Sequence, residues 1–136
     1  MATLSELRAG LATNLATVSG LRTSATIPDQ VTPPMAVVMP QTITYDTSFA
    51  RAGGDEFEFA VTVIVGRVDE RTAQNRLDAY CSSSGASSIK AAIEKDKTLG
   101  GKAFDCRVTS LRNYQSVIVG DTTYLSAEFV VQVYSA

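Results

Sequence analysis

The stretch Asp55–Arg67, DEFEFAVTVIVGR, is the longest uninterrupted strand signal in the chain and restricts the fold more than any other segment. Phe57, Phe59, Val61, Val63 and Val65 recur at the two-residue period of a β-strand, and Glu56, Glu58 and Thr62 mark the other face. A strand patterned this way needs a core on its apolar side. Toward Ala60 and Ile64 the second face also turns apolar, which predicts that the inner half of the strand is covered on both sides, by a helix or by a neighbouring subunit.

The segments before it supply what such a strand could pack against. Leu4, Leu7, Leu11, Leu15 and Val18 recur at steps of three and four, the stripe of a helix from Ser5 to about Val18, with Thr3 or Ser5 as cap and Gly20 beyond its end. A short extended piece follows over Leu21–Thr26. IPDQVTPP then excludes regular helix through Pro28, Pro33 and Pro34 and reads as an ordered connector anchored by Ile27 and Val31. Met35–Met39 is an apolar run closed by Pro40, a buried strand. Beyond it, QTITYDTSFARAGG begins as strand and ends at Gly53-Gly54 in a turn or mobile loop.

After the central strand, Asp69 stands at the N-cap position of a helix from Glu70 to about Ser82, with Ala73, Leu77, Tyr80 and Cys81 on its inner side. SSSGASS breaks it. A shorter helix, about Ser88 to Lys97, buries Ile89, Ala92 and Ile93 and stops at Gly100-Gly101. The C-terminal third reads as a long β-hairpin about a Gly120-Asp121 turn. With Val119 facing Thr122, an uninterrupted register pairs Leu111 with Val130, Ser110 with Val131 and Val108 with Val133. Arg107 then faces Tyr134 and Thr109 faces Gln132. Cys106, Val108, Val131 and Val133 fall on one face. Such a hairpin spans on the order of 45 Å, longer than usual strands, so its distal part is expected to project and leave Tyr114, Val117, Ile118, Val119, Tyr124 and Leu125 poorly covered. A wide loop at Asn113–Ser116 is the competing picture. Together these elements predict one α+β domain over residues 1–136: a mixed, mostly antiparallel sheet packed by an N-terminal and two central helices, with a long C-terminal hairpin.

The chemistry expected of this chain is sparse. Its 136 residues contain no histidine, which removes His-based triads, Cys-His dyads and His metal sites. Cys81 and Cys106 lie far apart and read as small buried apolar groups rather than a disulfide or a nucleophile. Ser87-Ser88-Ile89-Lys90 matches S-x-x-K formally but lacks every companion motif. Asp55, Glu56 and Glu58 could hold a hard cation, yet their alternation with Phe57 and Phe59 is what the wet face of a strand requires. Lys102, Arg107 and Arg112 could meet a polyanion, and alternation with Asp105 favours a solvated strand face or an intersubunit pairing. No cofactor, metal or catalytic set is expected. The formal net charge of −2 gives no basic footprint for nucleic acid or membrane. MATLSELRAG lacks the build of a signal peptide, and no apolar run approaches the ~20 residues needed to span a bilayer, so a cytosolic origin is expected.

The order of elements and several phrases resemble a family. LRAGLATNLATVSGLR, the Pro-rich IPDQVTPPMAVVMP, a Phe- and Val-rich strand, central helices and a closing GDTTYLSAEFVVQVYSA strand together look like the tail terminator proteins of long-tailed, non-contractile bacteriophages, particularly those of actinobacterial hosts. The resemblance implies a virion protein, assembled in the host cytoplasm, that forms a six-membered ring on the last ring of the major tail tube protein. It would end tube growth and present a surface to the connector proteins of the neck, while genomic DNA passes through without specific binding. A closed ring needs two different complementary surfaces on each subunit. The expected ones are the hairpin, with Arg112, Tyr114, Val117, Ile118, Val119 and Tyr124, and the loop carrying Tyr45, Phe49 and Arg51. Charging the hairpin tip, as in Val117→Asp, should then spoil assembly and leave the monomer folded. The alternatives are a head-tail connector or head-closure subunit, a small Ser/Lys-dependent enzyme, and a stand-alone binding module or dimer.

Overall fold

The computed structural model describes residues 4–18, 21–24, 34–45, 55–67, 72–85, 87–101, 103–119 and 122–135. In chain order these form α1 (Leu4–Leu15), β1 (Arg22–Ser24), β2 (Met35–Thr44), β3 (Asp55–Arg67), α2 (Ala73–Cys81), α3 (Ile89–Glu94), β4 (Asp105–Val119) and β5 (Thr122–Ser135). The fold is α+β. Its five-stranded sheet has the order β1-β2-β3-β5-β4, with β1 parallel to β2 and every other pair antiparallel. The connector prolines Pro28 and Pro33, the cap residues Thr3, Gly20 and Asp69, and the turn residues Gly53, Gly54, Gly120 and Asp121 lie outside the described residues.

The period of β3 decides the layering. Phe57, Phe59, Val61, Val63 and Val65 all turn to one face and are buried there with Ala36 and Val38 of β2, Ala127, Phe129, Val131 and Val133 of β5, and Cys106 of β4. The helices close that face through Leu7, Leu11 and Leu15 of α1, Ala73, Leu77 and Tyr80 of α2, and Ile89, Ala92 and Ile93 of α3. These are the residues their spacing assigns to the inner stripe. A buried Asn14 ties α1 to α3 and the turn after it: its Nδ2 donates to the carbonyls of Ile93 and Asp96, each at 3.0 Å, and so gives the Ile93 carbonyl, near the helix end, a nitrogen donor. Gly10 allows the approach of the segment after α3, since a Cβ there would lie 2.9 Å from Leu99 Cβ.

The second face of β3 is buried at Ala60 and Ile64 too, but no described helix lies on it. Its apolar centre is formed laterally: Met35 pairs with Ile64, while Met39 and Val130 flank Ala60 from the two neighbouring strands.

Three sequence expectations need correction. Pro40 does not close β2, which runs on to Thr44. A bulge between Pro40 and Thr42 absorbs the missing amide, on a stretch that β1 leaves uncovered because β1 pairs only with Met35–Val37. The hairpin does not project freely either. β3 accompanies β5 as far as the Arg67–Tyr124 pair, so only Thr122 and Thr123 of β5 extend past it, and Leu125 packs against the core.

The third correction concerns register. Val119 faces Thr122 as expected, but two bulges in β4, between Arg112 and Gln115 and between Val108 and Ser110, move the base of the hairpin. Leu111 pairs with Phe129, Ser110 with Val130, Val108 with Val131 and Arg107 with Gln132. Thr109 is the extra residue of the second bulge. Asn113, at φ 56°, occupies the left-handed region at the first; asparagine tolerates that conformation better than most side chains. β4 is thus a continuous strand rather than a wide loop at Asn113–Ser116. Two one-residue slips add to one full side-chain period. Cys106, Val108, Val131 and Val133 therefore share the core-facing side even though their partners differ from the uninterrupted count.

Candidate assembly surface

The C-terminal strand inserts between β3 and β4, which leaves β4 at the margin of the sheet. Composition explains the choice. β5 carries Ala127, Phe129, Val131 and Val133 on one face and the buried Ser126 and Val130 on the other, as an inner strand must. β4 mixes Arg107, Thr109, Ser110, Arg112, Asn113, Gln115 and Ser116 into its length, and all of these are exposed. The result is a fifteen-residue edge strand. Among the described residues no strand pairs with its outer side. A row of backbone donors and acceptors on such an edge is a template for another strand.

The two halves of that edge differ. Near the base, α3 lies against β4, and Glu94 Oε2 accepts the Val108 amide at 3.0 Å while also holding the Lys90 ammonium. Burial alone would raise the Glu94 pKa; the Lys90 and Val108 hydrogen bonds and the charges of Lys90 and Lys97 outweigh it and hold the carboxyl below its ordinary value. The base of the edge is therefore guarded by a fixed carboxylate. Beyond the Thr109 bulge the strand presents Leu111 at 39% exposure, Tyr114 at 38% and Ile118 at 73%. Leu111 and Ile118 pair with Phe129 and Thr123, so they stand on the helix-covered side of the sheet. Tyr114 stands there as well, because its hydroxyl donates to Asp78 Oδ1 of α2 at 2.6 Å.

The other expected site residues fall as follows. Arg112 is not a free cation: its Nε and Nη2 donate to Glu128 Oε1 at 3.0 and 2.7 Å, and Asn113 Nδ2 donates to Oε2 of the same carboxylate at 3.1 Å. Val117 and Tyr124 pair with each other, half-buried, on the second face. Val119 enters through its register with Thr122. Tyr45, at the end of β2, is 68% exposed. Phe49 and Arg51 lie outside the described residues. The sheet does not bring Tyr45 together with the hairpin tip. β2 ends level with Asp105, at the base of β4, and three strand steps separate the two, about 14 Å across the sheet. Tyr45 and the hairpin tip sit toward opposite margins and opposite ends of the sheet.

Sequence reasoning missed Leu111 because the uninterrupted register set it opposite Val130. It also missed Phe104 at 60% and Tyr134 at 41% exposure, which lie at the base of the hairpin. Asn113 within an otherwise β-prone run was the available sign of a bulge.

Among the described residues neither cysteine nor Ser88 is primed as a nucleophile. Burial first, then neighbouring carboxylates, pushes the Cys81 and Cys106 thiols up to about 11, so both are protonated at neutral pH. Ser88 Oγ caps α3 by accepting the Ala91 amide and donates to the Ser82 carbonyl, while Lys90 is turned to Glu94. Among the described residues no group of three or more potential metal ligands converges, and no helix is long and apolar enough to cross a membrane. No protein-family model matches the chain, and no curated protein matches it.

Proposed function

We propose that the protein is a structural subunit of a closed ring, of six copies as the resemblance implies, at the head-proximal end of a non-contractile phage tail tube. There it ends tube growth and offers the surface to which the neck joins. The observation that carries the reading is the uncovered outer margin of β4 with Leu111, Tyr114 and Ile118 along it. Exposed apolar groups beside unpaired strand backbone are stabilised when another chain covers them. The pairing of Arg112 with Glu128 and of Arg107 with Asp105 further supports a role beside DNA without grip, since phosphate binding draws on clustered, available cations.

Purified protein added to matching tail tubes tests the proposal. It should bind one end of each tube and stop elongation, and tubes grown without it should overgrow. Decoration along the tube sides would refute the terminator reading. Binding to the head vertex alone would refute it in favour of a connector or head-closure subunit.

A further inference from the structure

We infer that the open half of β4, Ser110 to Val119, pairs with the opposite margin of a second copy's sheet, formed by β1 and the uncovered run of β2, so that the sheet continues antiparallel from subunit to subunit. The inference rests on the ring reading and specifies how the ring closes.

Strand direction is the first reason. Three antiparallel steps lead from β2 to β4, so β4 runs opposite to β2, and opposite to β1, which is parallel to β2. A head-to-tail neighbour keeps the orientation of the sheet. Its β1 and β2 therefore arrive antiparallel to β4, the more stable ladder. Following the pairs across the sheet, Gln115 is level with Arg22 and Arg112 is level with Ser24, so an unshifted neighbour sets β1 against the stretch beyond the guarded base.

The second reason is that, among the described residues, no strand pairs with the outer side of either margin. β1 covers β2 only from Met35 to Val37 and leaves its remainder to Thr44 without a described partner strand. Pairing two β4 strands about a twofold would cover one margin and leave the other bare. Head-to-tail pairing covers both. It also brings α1, which packs on β1 and β2 in the helix layer, toward Leu111, Tyr114 and Ile118 in the same layer.

Area is the third reason. In an unshifted neighbour the three residues of β1 lie level with the open half, and in a staggered one the seven uncovered residues 38–44 of β2 reach it, a ladder of at most about 24 Å. Such a contact is well short of the roughly 1,200 Å² or more usual for a stable pair. One such contact makes a weak dimer. A closed ring gives each copy two contacts, and the final contact forms within one assembly.

The test uses the full chain with Cys81→Ser and cysteines at both margins, Gln115→Cys with Arg22→Cys for an unshifted neighbour and Gln115→Cys with Thr42→Cys for a staggered one. Mild oxidation should give, in at least one double variant, a ladder of covalent multimers that ends at the copy number of the native assembly. Each single variant should give none. Complete conversion of the Gln115→Cys single variant to a covalent dimer would overturn both the inference and the ring. Rings present by native mass but without a ladder in either double variant, and with amide exchange along residues 110–119 as fast as in the monomer, would overturn the edge pairing and leave the ring reading standing. A monomer at every concentration, with no ladder, would overturn both.

Discussion

Replacing Ile118 by aspartate separates the monomer's own stability from assembly. Ile118 is 73% exposed, so about a quarter of its surface is covered within the subunit. Full burial of an isoleucine contributes roughly 1.5–3 kcal/mol. The monomer therefore stands to lose less than about 1 kcal/mol of burial, and up to about 1 kcal/mol more for placing aspartate in a strand. The contact with a neighbour loses the remaining three quarters, about 1–2 kcal/mol, and must also bury a carboxylate without a partner, at several kcal/mol or protonation of the group. Together about 4 kcal/mol per contact corresponds to roughly a thousandfold weaker association at each interface. Urea unfolding of the monomer should thus shift by no more than about 2 kcal/mol, while sedimentation shows the oligomer gone at concentrations where the parent assembles. Ile118→Val should restore it. An Ile118→Asp protein that still assembles like the parent would refute the role of this edge, and one that fails to fold would show that the tip belongs to the core.

Three further outcomes test the account of the fold. Asn14→Leu removes two hydrogen bonds and leaves the Ile93 carbonyl with only the Cys106 thiol and the Asp96 carbonyl with only the Leu99 amide, so the urea-derived stability should fall by about 1–3 kcal/mol, and an unchanged midpoint would contradict the joint between α1 and α3. Gly10→Ala gains about 1 kcal/mol of helix propensity but drives a Cβ to 2.9 Å from Leu99, which sits at φ 52° in a tight segment. Overpacking of 1–3 kcal/mol should leave the variant about 1 kcal/mol less stable, and a gain would show that Leu99 moves freely. Glu94 has a lowered folded-state pKa, so its contribution is fully present above the ordinary carboxylate value of about 4.3 and is lost as pH falls through the lower folded value. Glu94→Gln should therefore be less stable than the parent at neutral pH, by about 1–2 kcal/mol, and the gap should close in acid; a gap independent of pH would argue against the charged link to Val108.

Much of the architecture was legible because periodicity carries it. The two-residue alternation of β3 and the three-and-four steps of α1 name the buried residues directly, and the same side chains fill the core. The bulge at Thr109 was not legible, since threonine is an ordinary occupant of a strand, whereas Asn113, a residue strands disfavour, marked the other without fixing its register. Strand order was hidden for a similar reason: chain order places β4 next to α3, and only the apolar character of both faces of β5 around Val130 indicates that the last strand lies inside. The position of the open edge follows from that insertion. Pro40 misled because proline usually ends a strand, whereas an uncovered margin with an adjacent bulge tolerates it. Ile118 was visible as a candidate from apolar content alone; the guarded base was not, because Glu94 and Val108 meet only through the packing of α3 on β4.

The mass of the native assembly bears most directly on whether identical copies close on one another. With a subunit of 14.5 kDa, the account predicts that rising concentration converts monomer to a single species at about 87 kDa for six copies, without an accumulating dimer. A monomer that never associates, or a dimer that persists as the end state, would contradict it.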